Sequence, residues 1–412
     1  MTYGLIGEKL GHSYSKMIHE SLGKYEYQLF SLDKAEFEAF VAERNYHGLN
    51  ITIPYKKAVI PFCDRVSDLA KEIGAVNTLY FRDGKLWGTN TDYQGFLYAA
   101  QAAGISFENK KVLILGNGGT SLMARRAAKD HGARQVLITT RRGETGCVPY
   151  EELPQHKDIE IIINTTPVGT YPNNGGKLIE LTDFPACRGV IDVIYNPFAT
   201  ALLQQAKELG IAHTNGLPML VAQATAAAEY FLGEGDFQQQ NEAIIQKLRR
   251  QIENIVLIGM PGCGKTSLGK QLAEKLGKQF VDMDVEIEKT AGKSIPEIFA
   301  ESGETRFRNL ETEIAQKLGK EKEQVIATGG GAVLRPENMK ALGQNGRIVF
   351  IRRPLGKLAM DGRPLSKDLE ALKNMYADRL PLYERYGRLA FDSEEGIEKS
   401  AAKLLSLLET HD

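Results

Sequence analysis

The sequence predicts an α/β protein made of two successive units, each a parallel sheet wrapped by helices. Short apolar runs of strand type alternate with helix-like stretches along the chain. Two of these runs end in glycine-rich turns, Gly116-Asn117-Gly118-Gly119-Thr120 and Gly259-Met-Pro-Gly262-Cys263-Gly264-Lys265-Thr266. Between them lies a polar stretch, Gly233-Glu-Gly-Asp-Phe-Gln-Gln-Gln-Asn, of the kind that joins domains. With 412 residues and roughly 150 residues per domain, two or three domains are expected.

In order, strands are expected at Tyr3–Ile6, Tyr27–Ser31, Gly48–Ile53, Val112–Leu115, Gln135–Thr139, Ile159–Asn164 and Gly189–Asp192. Helices are expected at Thr91–Gly104, Leu122–His131 and Ala199–Leu209, and an alanine-rich one from Pro218 to Tyr230. Residues 1–100 then form one lobe and 101–235 a second, with the helix at 218–232 returning to the first. Residues 236–253 read as a linker helix. A further α/β domain over 254–412 opens with the run Ile255–Ile258.

Composition excludes several classes. Net charge is −1, so no broad pull toward nucleic acid or an acidic membrane is expected. Four cysteines without paired spacing, Cys63, Cys147, Cys187 and Cys263, suit reduced thiols rather than a disulfide framework or zinc site. No apolar stretch approaches the roughly 20 residues of a bilayer span, and the opening residues lack a signal-peptide pattern. The expectation is a cytoplasmic enzyme of small-molecule substrates, a monomer or homodimer, without nucleic-acid or membrane partners.

The first turn follows an apolar strand and precedes a helix, the setting in which backbone N–H groups and the helix dipole favour an anion. About 25 residues on, the next strand ends in Thr139-Thr140-Arg141-Arg142, with arginines where NAD sites carry an acid. That pattern predicts NADP on a Rossmann-type lobe, held by Gly116, Asn117, Gly118, Gly119, Thr120, Thr140 and Arg141. The opening lobe is rich in polar clusters: Ser13-Tyr-Ser15, Asn50-Ile-Thr52-Ile-Pro-Tyr-Lys56, Gly74-Ala-Val-Asn77-Thr and Asn90-Thr-Asp92. Each alone reads as turn or cap chemistry. Together they describe a pocket for a polyhydroxylated carboxylate, with Lys56 and Asp92 able to supply a proton to a forming alkoxide.

These motifs, with Asn164-Thr-Thr-Pro-x-Gly169, Asp192-x-x-Tyr195-x-Pro and Asn215-Gly216-x-x-Met219-Leu-x-x-Gln223, resemble shikimate dehydrogenase up to about residue 232. The resemblance implies that Lys56 is the acid/base and Asp92 its partner. It further implies that Ser13, Ser15, Asn50, Thr52, Asn77, Tyr195 and Gln223 hold substrate, and that Gly216 and Met219 lie near the nicotinamide. Where the family usually has Asn-Arg at the ribose-facing strand end, this chain has Thr140-Arg141.

The second turn fits the Gly-x4-Gly-Lys-Thr phosphate loop. Gly262, Cys263, Gly264, Lys265, Thr266 and Ser267 are expected around the phosphates of a nucleoside triphosphate, with the Thr266 hydroxyl on Mg²⁺. Beyond it stand Asp282-Met-Asp284, Phe307-Arg308-Asn-Leu-Glu311, Thr328-Gly-Gly330-Gly, Gly362-Arg363-Pro-Leu and Arg379-x-Pro-Leu-Tyr383. Two acids, a glycine run and separated arginines suit a small anionic, hydroxylated acceptor. Asp284 can take the bond of the attacking hydroxyl, and Arg363 can steady the transferring phosphoryl group. In this order the motifs resemble shikimate kinase over Asn254–Glu409. The resemblance implies shikimate among Asp284, Arg308, Gly330 and Arg379. It also implies ATP phosphates on Lys265 and Arg363, and Mg²⁺ at Thr266 and Asp282. The segment from Arg352 to Arg363 is shorter than the family's usual lid.

The expectation is therefore one chain with two consecutive activities. The first is NADPH-dependent reduction of 3-dehydroshikimate, and the second is MgATP-dependent phosphorylation of shikimate. The rival readings are a quinate/shikimate dehydrogenase joined to a small-molecule kinase, and a nucleotide-sensing regulator without turnover.

Overall fold

The computed structural model describes residues 2–11, 13–141, 145–358, 369–393 and 396–410. Arg142, Arg363 and the segment around Arg363 lie outside the described residues. The chain divides into two compact units, Met1–Lys247 and Leu248–Asp412.

The first unit opens with β1 (Tyr3–Gly7), α1 (Ser15–Ser21), β2 (Tyr27–Ser31), α2 (Lys34–Glu43), β3 (Gly48–Ile51), β4 (Arg65–Val66), α3 (Asp68–Ile73), β5 (Thr78–Arg82), β6 (Lys85–Thr89) and α4 (Asp92–Ala102). These strands form one sheet in the order β2-β1-β3-β5-β6-β4. It is mixed, not parallel as the βα alternation predicts, because β5 runs antiparallel to both β3 and β6. For β5 and β6 the cause is local: Asp83 and Gly84 both take positive φ (52° and 69°), the mirror-image turn that closes a two-residue hairpin.

The second lobe follows: β7 (Lys111–Leu115), α5 (Gly119–Asp130), β8 (Gln135–Thr139), β9 (Ile161–Asn164), β10 (Gly189–Asp192), α6 (Ala201–Glu208), β11 (Ala212–Thr214) and α7 (Gly216–Leu232). Its sheet, β11-β10-β9-β7-β8, is parallel throughout. β7 and β9 are buried along their whole length, which is why they read as unbroken Val/Ile/Leu runs rather than alternating ones. Strand order reverses at β7, so a crevice opens at its carboxyl end, where the first glycine turn sits. Helix α7 then crosses α4 at Gly95, where a Cβ would stand 2.5 Å from the Met219 carbonyl oxygen. Its far end packs Phe231 into a cluster with Tyr3, Leu5, Tyr27 and Tyr80 of the opening sheet.

The boundary between units falls inside α8 (Asn241–Ile252). The second unit continues with β12 (Asn254–Ile258), α9 (Lys265–Leu276), β13 (Gln279–Asp282), α10 (Met283–Ala291), α11 (Ile295–Lys320, kinked at Gly303), β14 (Gln324–Ala327), α12 (Pro336–Leu342), β15 (Gly346–Arg352), α13 (Leu369–Tyr386), β16 (Leu389–Asp392) and α14 (Ile397–Thr410). The strand order β13-β14-β12-β15-β16 is parallel throughout. All five carboxyl ends therefore meet on one side, with the phosphate loop after the central β12. No helix among the described residues is long and apolar enough to cross a membrane.

Candidate active sites

In the first unit the Lys56 ammonium donates to Asp92 Oδ2 at 2.5 Å, both side chains largely shielded from solvent. Asp92 is the first residue of α4, but it spends its carboxylate on this pair rather than on capping. Its other oxygen accepts from Asn77 Nδ2 at 3.0 Å. Asn77 is buried and also receives the Thr91 N–H at 2.7 Å, so its orientation is locked. Asn50 is equally enclosed: its Oδ1 accepts the Tyr27 hydroxyl at 2.7 Å, and its Nδ2 donates to Thr78 Oγ1 and the Asn77 carbonyl. Thr52 lies just past the end of β3, with its methyl group against Gly7.

Beneath this floor His19 is fully buried, stacked on Tyr27 at 3.9 Å and bonded through Nδ1 to the Tyr25 hydroxyl. Burial pushes its imidazolium pKa down to about 3, so it is neutral at physiological pH. No sequence signal marks it: a lone histidine on an apolar helix face has no motif.

Ser13 and Ser15 share one turn, the Ser15 N–H donating to Ser13 Oγ at 3.3 Å. Tyr14 between them meets the Tyr195 ring at 5.7 Å, which brings the loop after β10 to this turn. Burial raises the Tyr195 phenol pKa. That loop is anchored by Asp192, wholly buried, which accepts from Thr200 Oγ1, the Ile194 N–H and Asn164 Nδ2. Burial lifts its carboxyl pKa to about 6 against those three bonds. Gln223 sits on α7 against Gly95, one turn along α4 from Asp92. Gly216 opens α7 where a Cβ would overlap the Val193 carbonyl, so only glycine fits.

The first glycine turn has the form of a cradle. Gly116 takes φ +102°, and a Cβ there would press on Thr166 at 2.9 Å. At Gly118 and Gly119 a Cβ would meet nothing within 4 Å, and Gly118 caps α5 without a side chain. The helix N-terminus thus faces open space, which suits a dinucleotide pyrophosphate. Asn117 is exposed beside it, and Arg141 is exposed just beyond β8.

In the second unit a cavity of about 560 Å³ lies at the carboxyl ends of the sheet. It gathers Gly262, Gly264, Lys265, Thr266 and Ser267 with Asp282, Asp284, Arg308, Gly330 and Arg379. Cys263 is buried beneath the loop. Gly262 and Gly264 take φ of +80° and +97°, conformations that favour glycine. Thr266 Oγ1 donates to Asp282 Oδ2 at 2.7 Å, a pair of hard oxygens of the kind that can hold Mg²⁺.

Lys265 lines this cavity from the first turn of α9. Its ammonium folds back on the loop, donating to the Gly259 and Met260 carbonyls at 2.8 and 3.0 Å. A nearly buried ammonium takes the nearest acceptors.

Arg308 is buried, bonded to Glu311 at 2.9 Å and to Glu304 at 3.0 Å. Glu311 itself is wholly buried, and burial raises its carboxyl pKa while Arg308 opposes the shift. Its role as the anchor of Arg308 follows from their i,i+3 spacing on α11, a signal the sequence holds. A Cβ on Gly331 would overlap the Arg308 guanidinium, and one on Gly330 would strike Pro261 at 2.6 Å. The glycine run is thus the wall against which Arg308 and the phosphate loop rest. Buried Tyr383 ties the wall to α13 by donating to the Gly330 carbonyl at 2.6 Å, one turn from Arg379. Arg353, just past β15, also lines the cavity, and no motif marks it.

Comparisons with known proteins follow the same division. A family profile described as shikimate dehydrogenase substrate binding domain matches residues 5–79, and one described as shikimate kinase matches residues 261–409. The shikimate dehydrogenase (NADP(+)) of Clostridium perfringens strain 13 is 35% identical over 266 residues, covering 60% of this chain and 98% of that protein. The one from Geobacillus kaustophilus is 35% identical over 272 residues, covering 60% and 99%. Among solved structures, shikimate dehydrogenase 1 of Peptoclostridium difficile matches with a TM-score of 0.55 and 33% identity, over 60% of this chain and 98% of that one. The Thermus thermophilus shikimate 5-dehydrogenase, solved with NADP(H) and shikimate, matches with a TM-score of 0.53 and 30% identity, over 59% and 98%.

Proposed function

This chain belongs to the shikimate dehydrogenase family and carries a shikimate kinase domain after it, and from that premise we propose how its two clefts act on one metabolite in turn. It is a bifunctional enzyme of the shikimate pathway. The first unit reduces 3-dehydroshikimate to shikimate with NADPH, and the second phosphorylates shikimate with ATP. The observations that support the assignment of roles are the bonded cluster Lys56–Asp92–Asn77 in the first unit and, in the second, one cavity lined by the phosphate loop, Asp282, Asp284, Arg308 and Arg379.

In the first cleft NADPH, when bound, supplies the hydride. Lys56 gives a proton to the alkoxide oxygen as it forms, and Asp92 holds the ammonium at that point. Asn77 fixes Asp92, so the pair cannot swing away. Ser13, Ser15, Thr52, Tyr195 and Gln223 surround the substrate's carboxylate and hydroxyls. Asn50, oriented by Tyr27 and Thr78, joins them. Gly116 to Thr120 receive the pyrophosphate, while Thr140 and Arg141 face the 2′-phosphate. Gly216 and Met219 border the nicotinamide.

In the second cleft ATP supplies the phosphoryl group. Lys265 leaves the Gly259 and Met260 carbonyls to meet phosphate oxygens, a stronger acceptor set. Asp284 accepts from the attacking hydroxyl. Arg308 and Arg379 hold the acceptor carboxylate against the Gly330 wall. Thr266 and Asp282 hold Mg²⁺, and Arg363 serves the transferring phosphate.

Incubation with 3-dehydroshikimate, NADPH and MgATP is expected to yield shikimate 3-phosphate with stoichiometric NADPH oxidation. No oxidation would sink the first assignment. Oxidation with free shikimate accumulating and no ester formed would sink the second.

A further inference from the structure

We propose that Arg353 is a nucleotide-phosphate ligand of the second unit, gripping the polyphosphate beside Gly264. The proposal rests on the kinase reading of that unit.

Strand β15 lies parallel to β12, with Phe350 paired to Ile258, so both strands deliver their carboxyl ends to the same place. The contact is tight: a Cβ on Gly259 would lie 2.5 Å from the Ile351 carbonyl oxygen. Arg352 is the last residue of β15 and Arg353 follows it, and the two side chains have different surroundings. Arg352 is exposed and pairs with Asp392 of β16 at 2.5 Å. Arg353 faces the cavity instead. Its Nη1 stands 3.5 Å from where a Cβ on Gly264 would be, and a glycine there keeps that approach open.

The guanidinium is half-buried, and its Nε is shut away from solvent with no hydrogen-bond partner. Among the described residues no carboxylate pairs with it. A shielded guanidinium without a counter-charge is costly unless an anion completes it. The place where it sits, beside the last glycine of a phosphate loop and among Lys265, Thr266 and Ser267, is where a polyphosphate belongs. Its planar fork suits phosphate oxygens better than a lysine would. The acceptor's arginines, Arg308 and Arg379, already have their own positions on α11 and α13. Motif reading passes over Arg353 because an Arg-Arg pair at a strand end does not reveal which side chain turns inward.

The test uses the full chain and three variants: Arg353→Ala, Arg353→Lys and Arg352→Ala. ADP binding is followed by calorimetry, and kinase kinetics are run with each substrate in turn saturating. Loss of a charge-assisted phosphate contact should weaken ADP binding and raise KM for MgATP by about 10- to 100-fold in Arg353→Ala. Arg353→Lys should recover part of that. KM for shikimate should stay within about twofold, and NADPH-dependent reduction should not change. Arg352→Ala should bind ADP as the parent does. Unaltered ADP affinity in Arg353→Ala overturns the proposal, as does a rise confined to KM for shikimate or an equal loss in Arg352→Ala. The parent chain is the control for the kinase reading: if it makes no shikimate 3-phosphate, that reading fails first, independently of Arg353.

Discussion

Single residues shape the two units, and two of them show how. His19 is buried and neutral, its pKa depressed from 6.5 to about 3. The unfolded chain therefore binds a proton that the folded chain refuses between those values. The stability is fully present above pH 6.5 and is lost as pH falls toward 3, a change on the order of a few kcal/mol. Urea midpoints of the first unit should fall steeply from pH 7 to 4. His19→Phe, which retains a ring over Tyr27, should flatten that slope. An unchanged slope would show that other groups govern it. Gly331 is the second case, since any Cβ there overlaps the Arg308 guanidinium. Gly331→Ala should raise KM for shikimate in the kinase reaction by about tenfold and leave ADP affinity near the parent value. Loss of ADP binding instead would mean that the glycine run supports the phosphate loop rather than the acceptor's arginine. Most of the candidate site residues can be proposed from the sequence, because phosphate loops and polar clusters occupy contiguous stretches. Glu311 carries there only its i,i+3 spacing to Arg308, and Arg353 reads only as part of a lid. Their roles depend on which way a helix face or a strand end points, and no single motif carries that.

At the scale of elements, the strands with unbroken apolar runs are readable within about two residues, as at β7, β9 and β12. The β5–β6 hairpin is not among the expected elements, though its Asp83-Gly84 turn is a strong local signal. The alternation of strands and helices elsewhere outweighs it and favours an all-parallel expectation. The α4–α7 crossing is a second feature of this scale. It brings Gln223 and Met219 onto the helix headed by Asp92, and it depends on the missing side chain at Gly95. Gly95→Ala should push the helices apart and destabilise the first unit by about 1–3 kcal/mol. Its kcat for reduction should fall while kinase kcat holds. Equal loss of both activities would show that the crossing does not act on the first cleft alone.

For the whole molecule, two units with separate cores predict separable activities. Lys56→Ala should abolish NADPH-dependent reduction and leave shikimate phosphorylation intact, and Lys265→Ala should do the reverse. Loss of both activities in either variant would refute independent sites. The sequence by itself determined the two nucleotide turns, each a contiguous stretch, while its resemblance to two families supplied the shared metabolite and the order of the two steps. Only the tertiary structure decided how the pieces meet. Parallel strand order carried Asp282, Gly330 and Arg353 to the phosphate loop, and a glycine-sized gap let α7 reach α4. Those contacts join residues tens to over a hundred positions apart. Packing, rather than local propensity, chooses which of them face one another.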